Sequence, residues 1–160
     1  MSLIIPGKLI YLALPRTGSV ATESALVGIG GIPTPDHHRG LADFEHNGET
    51  VCTTIRNPLD MLASWFVLSG HRTMTAFLQS YNHSSMVRNG KLYYHSEDAD
   101  VLLNYSSLED DLNSLLLRLE LPTVKLPTLN VTVGKGHFMG YYDPGDLELI
   151  KARFDVASWL

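Results

Sequence analysis

Only one cysteine, Cys52, occurs in the 160 residues, and it sits inside an apolar run. An intrachain disulfide is therefore impossible, and a reducing, cytoplasmic setting is the simpler expectation. Basic residues are also scarce: 12 Lys and Arg against 17 Asp and Glu leave a net charge of −5. A duplex phosphate backbone needs a broad basic face, so nucleic acid is not an expected partner, although a local basic pocket for a small anion stays open. No stretch approaches the roughly 18 apolar residues of a membrane span. The opening segment MSLIIPGKLIYLAL has neither a basic n-region nor a small-residue cleavage pattern, so no signal peptide is expected. Without one, the N-x-S/T triplets at Asn82, Asn104 and Asn130 are expected to be chance matches. His71, His83, His95 and His137 are scattered, with no H-x-x-x-H or C-x-x-C spacing, and no metal site is expected.

The composition that remains, 44% hydrophobic and 18% charged, is ordinary for a globular chain, and the length fits one domain over residues 1–160. Lys8–Leu14 reads as a buried strand ended by Pro15, Arg16–Ser19 as a turn, and residues 20–29 as a helix stopped at Gly30-Gly31. Ile32–Asn47 is loop-like. Thr50–Ile55 is a second buried strand, rich in β-branched residues. Asn57 then suits an N-cap and Pro58 the first helical position, so a helix should run to about Leu68 and end at Gly70. Thr73–Tyr81 reads as another helix, and Lys91–His95 and Val101–Tyr105 as short strands. Ser107–Leu119 has apolar residues at 3/4 spacing and Ser107 with Asp110 as a near capping box. Pro144–Phe154 is a final helix. Strands alternating with helices predict an α/β fold with a central, mostly parallel sheet. Ligands of such folds sit beyond the carboxyl ends of the strands.

Two strand-to-helix corners fall on that edge. In the first, L-P-R-T-G-S, Gly18 allows close backbone approach to a ligand and the helix start offers N–H groups to an anion. Arg16 adds a cation, and Thr17, Ser19 and Thr22 carry hydroxyls. An ordinary capped turn is the competing reading, and the Walker A pattern is missing. In the second corner Arg56 ends a strand and Ser64 lies about two turns into the following helix. Both can converge on one phosphate; alternatively Arg56 pairs with Asp60 and Ser64 is a packing residue.

Together, PRTGS at Pro15–Ser19 and RNPLDMLAS at Arg56–Ser64 resemble the two phosphate motifs of sulfotransferases that use 3′-phosphoadenosine-5′-phosphosulfate (PAPS). In that family the first loop holds the 5′-phosphosulfate, and the Arg and Ser of the second bind the 3′-phosphate. The second match is complete. Downstream, VLLNYSSLEDDL at Val101–Leu112, LELP at Leu119–Pro122, NVTVGKG at Asn130–Gly136 and YYDPGDLELI at Tyr141–Ile150 are similar to later family segments. Ser106 stands where the family has an acid, Arg16 where it has a lysine, and Val20 where it often has a hydroxyl.

The resemblance implies a three-layer P-loop-type fold, with helices on both faces of the sheet, and no metal. It implies PAPS binding by Arg16, Thr17, Gly18, Ser19, Val20, Arg56, Ser64, Lys135 and Gly136. Sulfuryl transfer to a small alcohol, sugar or lipid head group would release adenosine 3′,5′-bisphosphate. The base would come from between the two motifs, with His38 first, His37 next, and Glu45 and His46 also available; each histidine also reads as a solvated loop residue. Trp65 and Phe66 read as core packing ahead of nucleotide contacts. Two alternatives stand beside transfer: a module of the same fold that holds PAPS or its product without turnover, and a P-loop nucleotide kinase or NTPase. The second lacks the Walker A lysine and a clear Walker B acid.

Overall fold

The strands at the centre of the sheet are short runs of long or β-branched apolar residues without polar alternation, the pattern of strands covered on both faces. The computed structural model describes residues 2–34, 41–81, 87–88, 91–92, 94–129 and 136–154. In chain order the strands are β1 (Leu3–Ile5), β2 (Leu9–Leu12), β3 (Ile32–Pro33), β4 (Thr50–Ile55), β5 (Val87–Arg88), β6 (Lys91–Leu92) and β7 (Val101–Asn104). The helices are α1 (Ser19–Val27), α2 (Pro58–Ser69), α3 (Met74–Ser80), α4 (Leu108–Arg118) and α5 (Pro144–Arg153). The chain gathers into two units, Met1–Ile55 with His95–Asn130, and Arg56–Tyr94 with Val131–Leu160.

The first unit holds a five-stranded sheet in the order β3-β1-β2-β4-β7. β2 pairs with β4, and β4 with β7, in parallel, while β1 runs antiparallel to β2 and to β3. Only β1 is reversed, so the sheet is mixed but mostly parallel, as the alternation of strands and helices predicts. Leu9, Tyr11, Ala13, Cys52 and Leu103 face Leu26 of α1 and Leu108, Leu112, Leu115 and Leu116 of α4. Burying each such leucine contributes about 1.5–3 kcal/mol. Ile10, Leu12 and Val51 point the other way and pack with Leu41, Phe44 and Ala99.

In the second unit α2 opens as its sequence predicts. Asn57 Oδ1 accepts the N–H groups of Leu59 (2.9 Å) and Asp60 (3.3 Å), Pro58 fills the first position, and Gly70 ends the helix at φ 74°. Thr73 caps α3, and Asp143 and Asp146 form a capping box on α5. Asp146 also accepts the Thr75 hydroxyl at 2.6 Å, which ties α5 to α3. Arg153 donates to the carbonyls of Leu78 and Tyr81 at the end of α3. Phe66, Phe77, Tyr81 and Phe154 form linked aromatic contacts. Among the described residues no helix is long and apolar enough to cross a membrane.

Candidate functional site

The first corner begins where β2 runs on through Ala13 and Leu14, both fully buried. Thr17, also fully buried, turns its hydroxyl back and donates to the Leu14 carbonyl at 2.7 Å. Such a local side-chain bond closes a turn in place of a ladder bond. Arg16 and Gly18 on either side have left-handed backbones, φ 62° and 82°. For the arginine this conformation costs about 1–2 kcal/mol. Strain of that kind collects at ligand sites, and alternating backbone handedness points successive N–H groups into a concavity that suits an anion. Gly18 is required twice over. A Cβ there would take a left-handed φ and would lie 2.9 Å from Leu108 Cδ2 and 3.3 Å from Tyr105 Cε2.

α1 starts directly after this turn, with Gly18 as N-cap and no side-chain cap. The Gly18 carbonyl accepts from Ala21 and Thr22 (3.0 and 3.1 Å), but the N–H groups of Ser19 and Val20 have no partner among the described residues. No acidic residue occupies the first turn. Unspent donors and the positive end of the helix therefore face the same way, an arrangement that favours a phosphate or sulfate. A hydroxyl has one proton to donate. Thr17 gives its proton to Leu14 and Thr22 gives its own to the Gly18 carbonyl at 3.3 Å. Ser19, only 6% exposed, is left as the hydroxyl of the corner with no partner among the described residues. Val20 is 44% exposed and contributes its N–H alone.

The second corner is built from side chains. Arg56, 9% exposed, donates through Nε to Asp60 Oδ2 at 2.6 Å. The ion pair left open by the sequence is thus the one that forms, and its burial shields it from the solvent screening that weakens surface pairs. Asn57 closes the start of α2, so an anion meets fewer backbone donors here than at α1. Ser64 is fully buried and lies one turn beyond Asp60 on the same stripe of α2.

Other residues named from the sequence are distributed as follows. His37, His38 and Lys135 lie outside the described residues. The Gly136 N–H donates to the Tyr141 hydroxyl at 3.0 Å. Glu45 and His46 are exposed. Trp65 meets Tyr81 edge-on, and Phe66 contacts Phe77 and Tyr141, so both join aromatic packing. Cys52 is fully buried and burial pushes its thiol well above the usual range, which makes it a packing residue and not a nucleophile. No group of three His, Cys, Asp or Glu side chains able to hold a metal occurs among the described residues.

Sequence reading passed over two residues at the first corner. Tyr105 and Leu108 lie against Gly18. No local pattern brings residues 105 and 108 to residue 18; only the parallel register of β2, β4 and β7 does so. Comparison with known proteins adds no family: no protein-family model, curated protein or solved structure matches the chain.

Proposed function

We propose that the chain binds a nucleotide carrying both a 3′-phosphate and a 5′-anion and that it is a PAPS-dependent sulfotransferase of three-layer P-loop type. The observation that carries this reading is the corner at Arg16–Val20. There a strained left-handed turn, a helix start with no side-chain cap, a Ser19 hydroxyl with no partner among the described residues and a cationic residue come together. The neighbouring strand supports it. β2 and β4 are parallel with Leu12 opposite Thr53, so the chain leaves both strands at one edge of the sheet, and Arg56 is the first residue after β4. In this reading the first corner holds the 5′-phosphosulfate and Arg56 with Ser64 holds the 3′-phosphate. Gly136 and Lys135 close over the nucleotide. A lone, buried Cys52 suits the reducing interior of a cell.

The reaction is an in-line transfer. The acceptor oxygen or nitrogen forms a bond to sulfur as the bond from sulfur to the 5′-phosphate oxygen breaks. The acceptor proton passes to a base, for which His38, then His37, is proposed. The electron pair leaves with adenosine 3′,5′-bisphosphate. The protein positions the two reactants and stabilises negative charge on the departing oxygen through Arg16 and the α1 N–H groups.

A second reading, retention of the nucleotide without turnover, is favoured by Arg16 itself. Its planar, forked guanidinium on a left-handed backbone is a poor substitute for the point charge of a lysine. Calorimetry with adenosine 3′,5′-bisphosphate, AMP and ATP tests what both readings share. A preference of tenfold or more for the bisphosphate is expected, at about 1.4 kcal/mol per factor of ten. Equal or tighter ATP binding overturns both. Transfer of labelled sulfate from PAPS to a panel of alcohols, sugars and lipid head groups, lost in Arg16→Ala, then separates catalysis from retention.

A further inference from the structure

Two adjacent tyrosines that the proposed chemistry does not use lean on α2 at either end of the stretch that carries Asp60 and Ser64. Tyr141 and Tyr142 stand where the 3₁₀ turn Phe138–Tyr141 gives way to the Asp143 cap of α5, and both belong to the unit that holds α2. The Tyr142 hydroxyl donates to the Leu59 carbonyl in the first turn of α2 at 2.6 Å. The N–H of that same peptide, on Asp60, donates to Asn57 Oδ1 at 3.3 Å. One peptide group is thus pinned at its oxygen and at its nitrogen, directly beside the carboxylate that takes Arg56 Nε at 2.6 Å. A helix carbonyl already accepts the amide four residues on, so the phenol is an extra donor at its second lone pair. A phenylalanine would fill the same space and leave the ladder of α2 complete, so the hydroxyl is the unexplained part of this side chain. Burial pushes the Tyr142 phenol well above its usual range, so it stays protonated and able to donate.

Tyr141 reaches the other end of the stretch. Its ring meets Phe66, two residues beyond Ser64, edge-on with 5.8 Å between centroids. Its hydroxyl accepts the Gly136 N–H at 3.0 Å. The contacts at Leu59 and Phe66 therefore bracket Asp60 and Ser64, and the same pair of tyrosines ties Gly136 to α2. We propose that Tyr141 and Tyr142 are positioning residues for the second corner. Tyr142 holds Asp60, and through it the Arg56 guanidinium, in the orientation that meets the 3′-phosphate, and Tyr141 holds the Gly136 backbone against the same helix. This rests on the reading that Arg56, Ser64 and Gly136 bind that phosphate. Neither tyrosine touches the ligand in this scheme: Tyr142 acts through the Leu59–Asp60 peptide and Tyr141 through Gly136.

The test is Tyr142→Phe and Tyr141→Phe in the full chain, each of which removes one hydroxyl and keeps the ring. Calorimetry compares adenosine 3′,5′-bisphosphate with AMP, which has no 3′-phosphate. In each variant affinity for the bisphosphate should weaken about threefold to tenfold, the effect of one hydrogen bond, while affinity for AMP stays within about twofold of wild type. A merely structural role would loosen the whole site and weaken both ligands alike. Equal weakening of the two ligands therefore overturns the positioning role, and unchanged bisphosphate affinity in either variant removes that tyrosine from it. A circular dichroism melt accompanies each titration. The bond to Gly136 is exposed, so Tyr141→Phe should melt with wild type, and it carries the test if Tyr142→Phe does not fold. A wild-type chain with no preference for the bisphosphate over AMP sinks the functional reading and this proposal with it. A wild-type preference that both variants keep in full sinks the proposal alone.

Discussion

The two strand-to-helix corners solve one local problem in opposite ways. At the start of α2 the Asn57 side chain takes up the N–H groups of Leu59 and Asp60, and Asp60 binds Arg56. At the start of α1 the cap is a glycine, with no side chain to take up the first N–H groups, and the turn before it stores backbone strain at Arg16. The capped helix start is the stable design; replacing such a cap with alanine costs about 1 kcal/mol. A chain that uses that design at one corner and omits it at the other has left donors open where an anion can satisfy them.

The sharpest way to break this contrast is Arg56→Ala. Removing the guanidinium should weaken adenosine 3′,5′-bisphosphate binding about a hundredfold. That is the usual cost of truncating one member of a buried charge pair, which leaves Asp60 and the phosphate without their cation. The fold should survive, because the Asn57 cap and the apolar face of α2 are untouched. Titration calorimetry with a circular dichroism melt measures both. Affinity within twofold of wild type would reduce Arg56 to a packing residue held by Asp60, and the second corner would have no part in binding.

A subtler experiment sharpens the first corner. Arg16→Ala and Arg16→Gly both remove the charge, but only glycine relieves the left-handed backbone. The glycine variant should be about 1 kcal/mol more stable than the alanine variant, visible in paired denaturant melts. Both should lose affinity for the bisphosphate by about tenfold, one charge-assisted contact. If the alanine variant is as stable as the glycine variant, the turn is not strained. The backbone half of the contrast then falls.

Legibility followed the range of the interactions. β4 and α2 were readable because their causes are local: a β-branched run, then Asn57-Pro58, then Gly70. β1 and β3 were not. Leu3–Ile5 merges with the apolar run around it, and Ile32–Pro33 looks like loop; each is a strand only because a partner lies beside it. α1 stops at Val27, ahead of Gly30-Gly31, because Ile29 and Gly31 both donate back to the Leu26 carbonyl. The capping box expected from Ser107 and Asp110 does not form. Asn104 accepts the Ser106 N–H, and Glu109 is drawn away to Lys125 and the Leu126 N–H. A strand over Lys91–His95 gives way after Leu92, with Tyr94–Asp98 forming a 3₁₀ turn. Gly18 was visible as a loop glycine, but its need to avoid Tyr105 and Leu108 was not, since those residues lie in a distant stretch of sequence.

The smallest expected effect serves as a control at the other end of the sheet. Glu49 stands just before β4, and Gly7 just before β2, at the edge opposite the two corners. The Glu49 carboxylate accepts the N–H groups of Asn47 at 2.7 Å and Gly7 at 3.0 Å. These bonds, Asn47 foremost, hold its carboxyl below the usual glutamate range. A lowered folded-state value contributes stability above the ordinary glutamate value, and this is lost as pH falls through the folded one. Glu49→Gln should therefore melt slightly lower than wild type at neutral pH, with the gap closing in acid. The group is exposed, so the shift will be near the limit of a careful melt. Its use is directional: bisphosphate affinity must stay at the wild-type value. A change would mean that the two edges of the sheet are coupled, and the corners could no longer be treated as a site whose properties are set by their own residues.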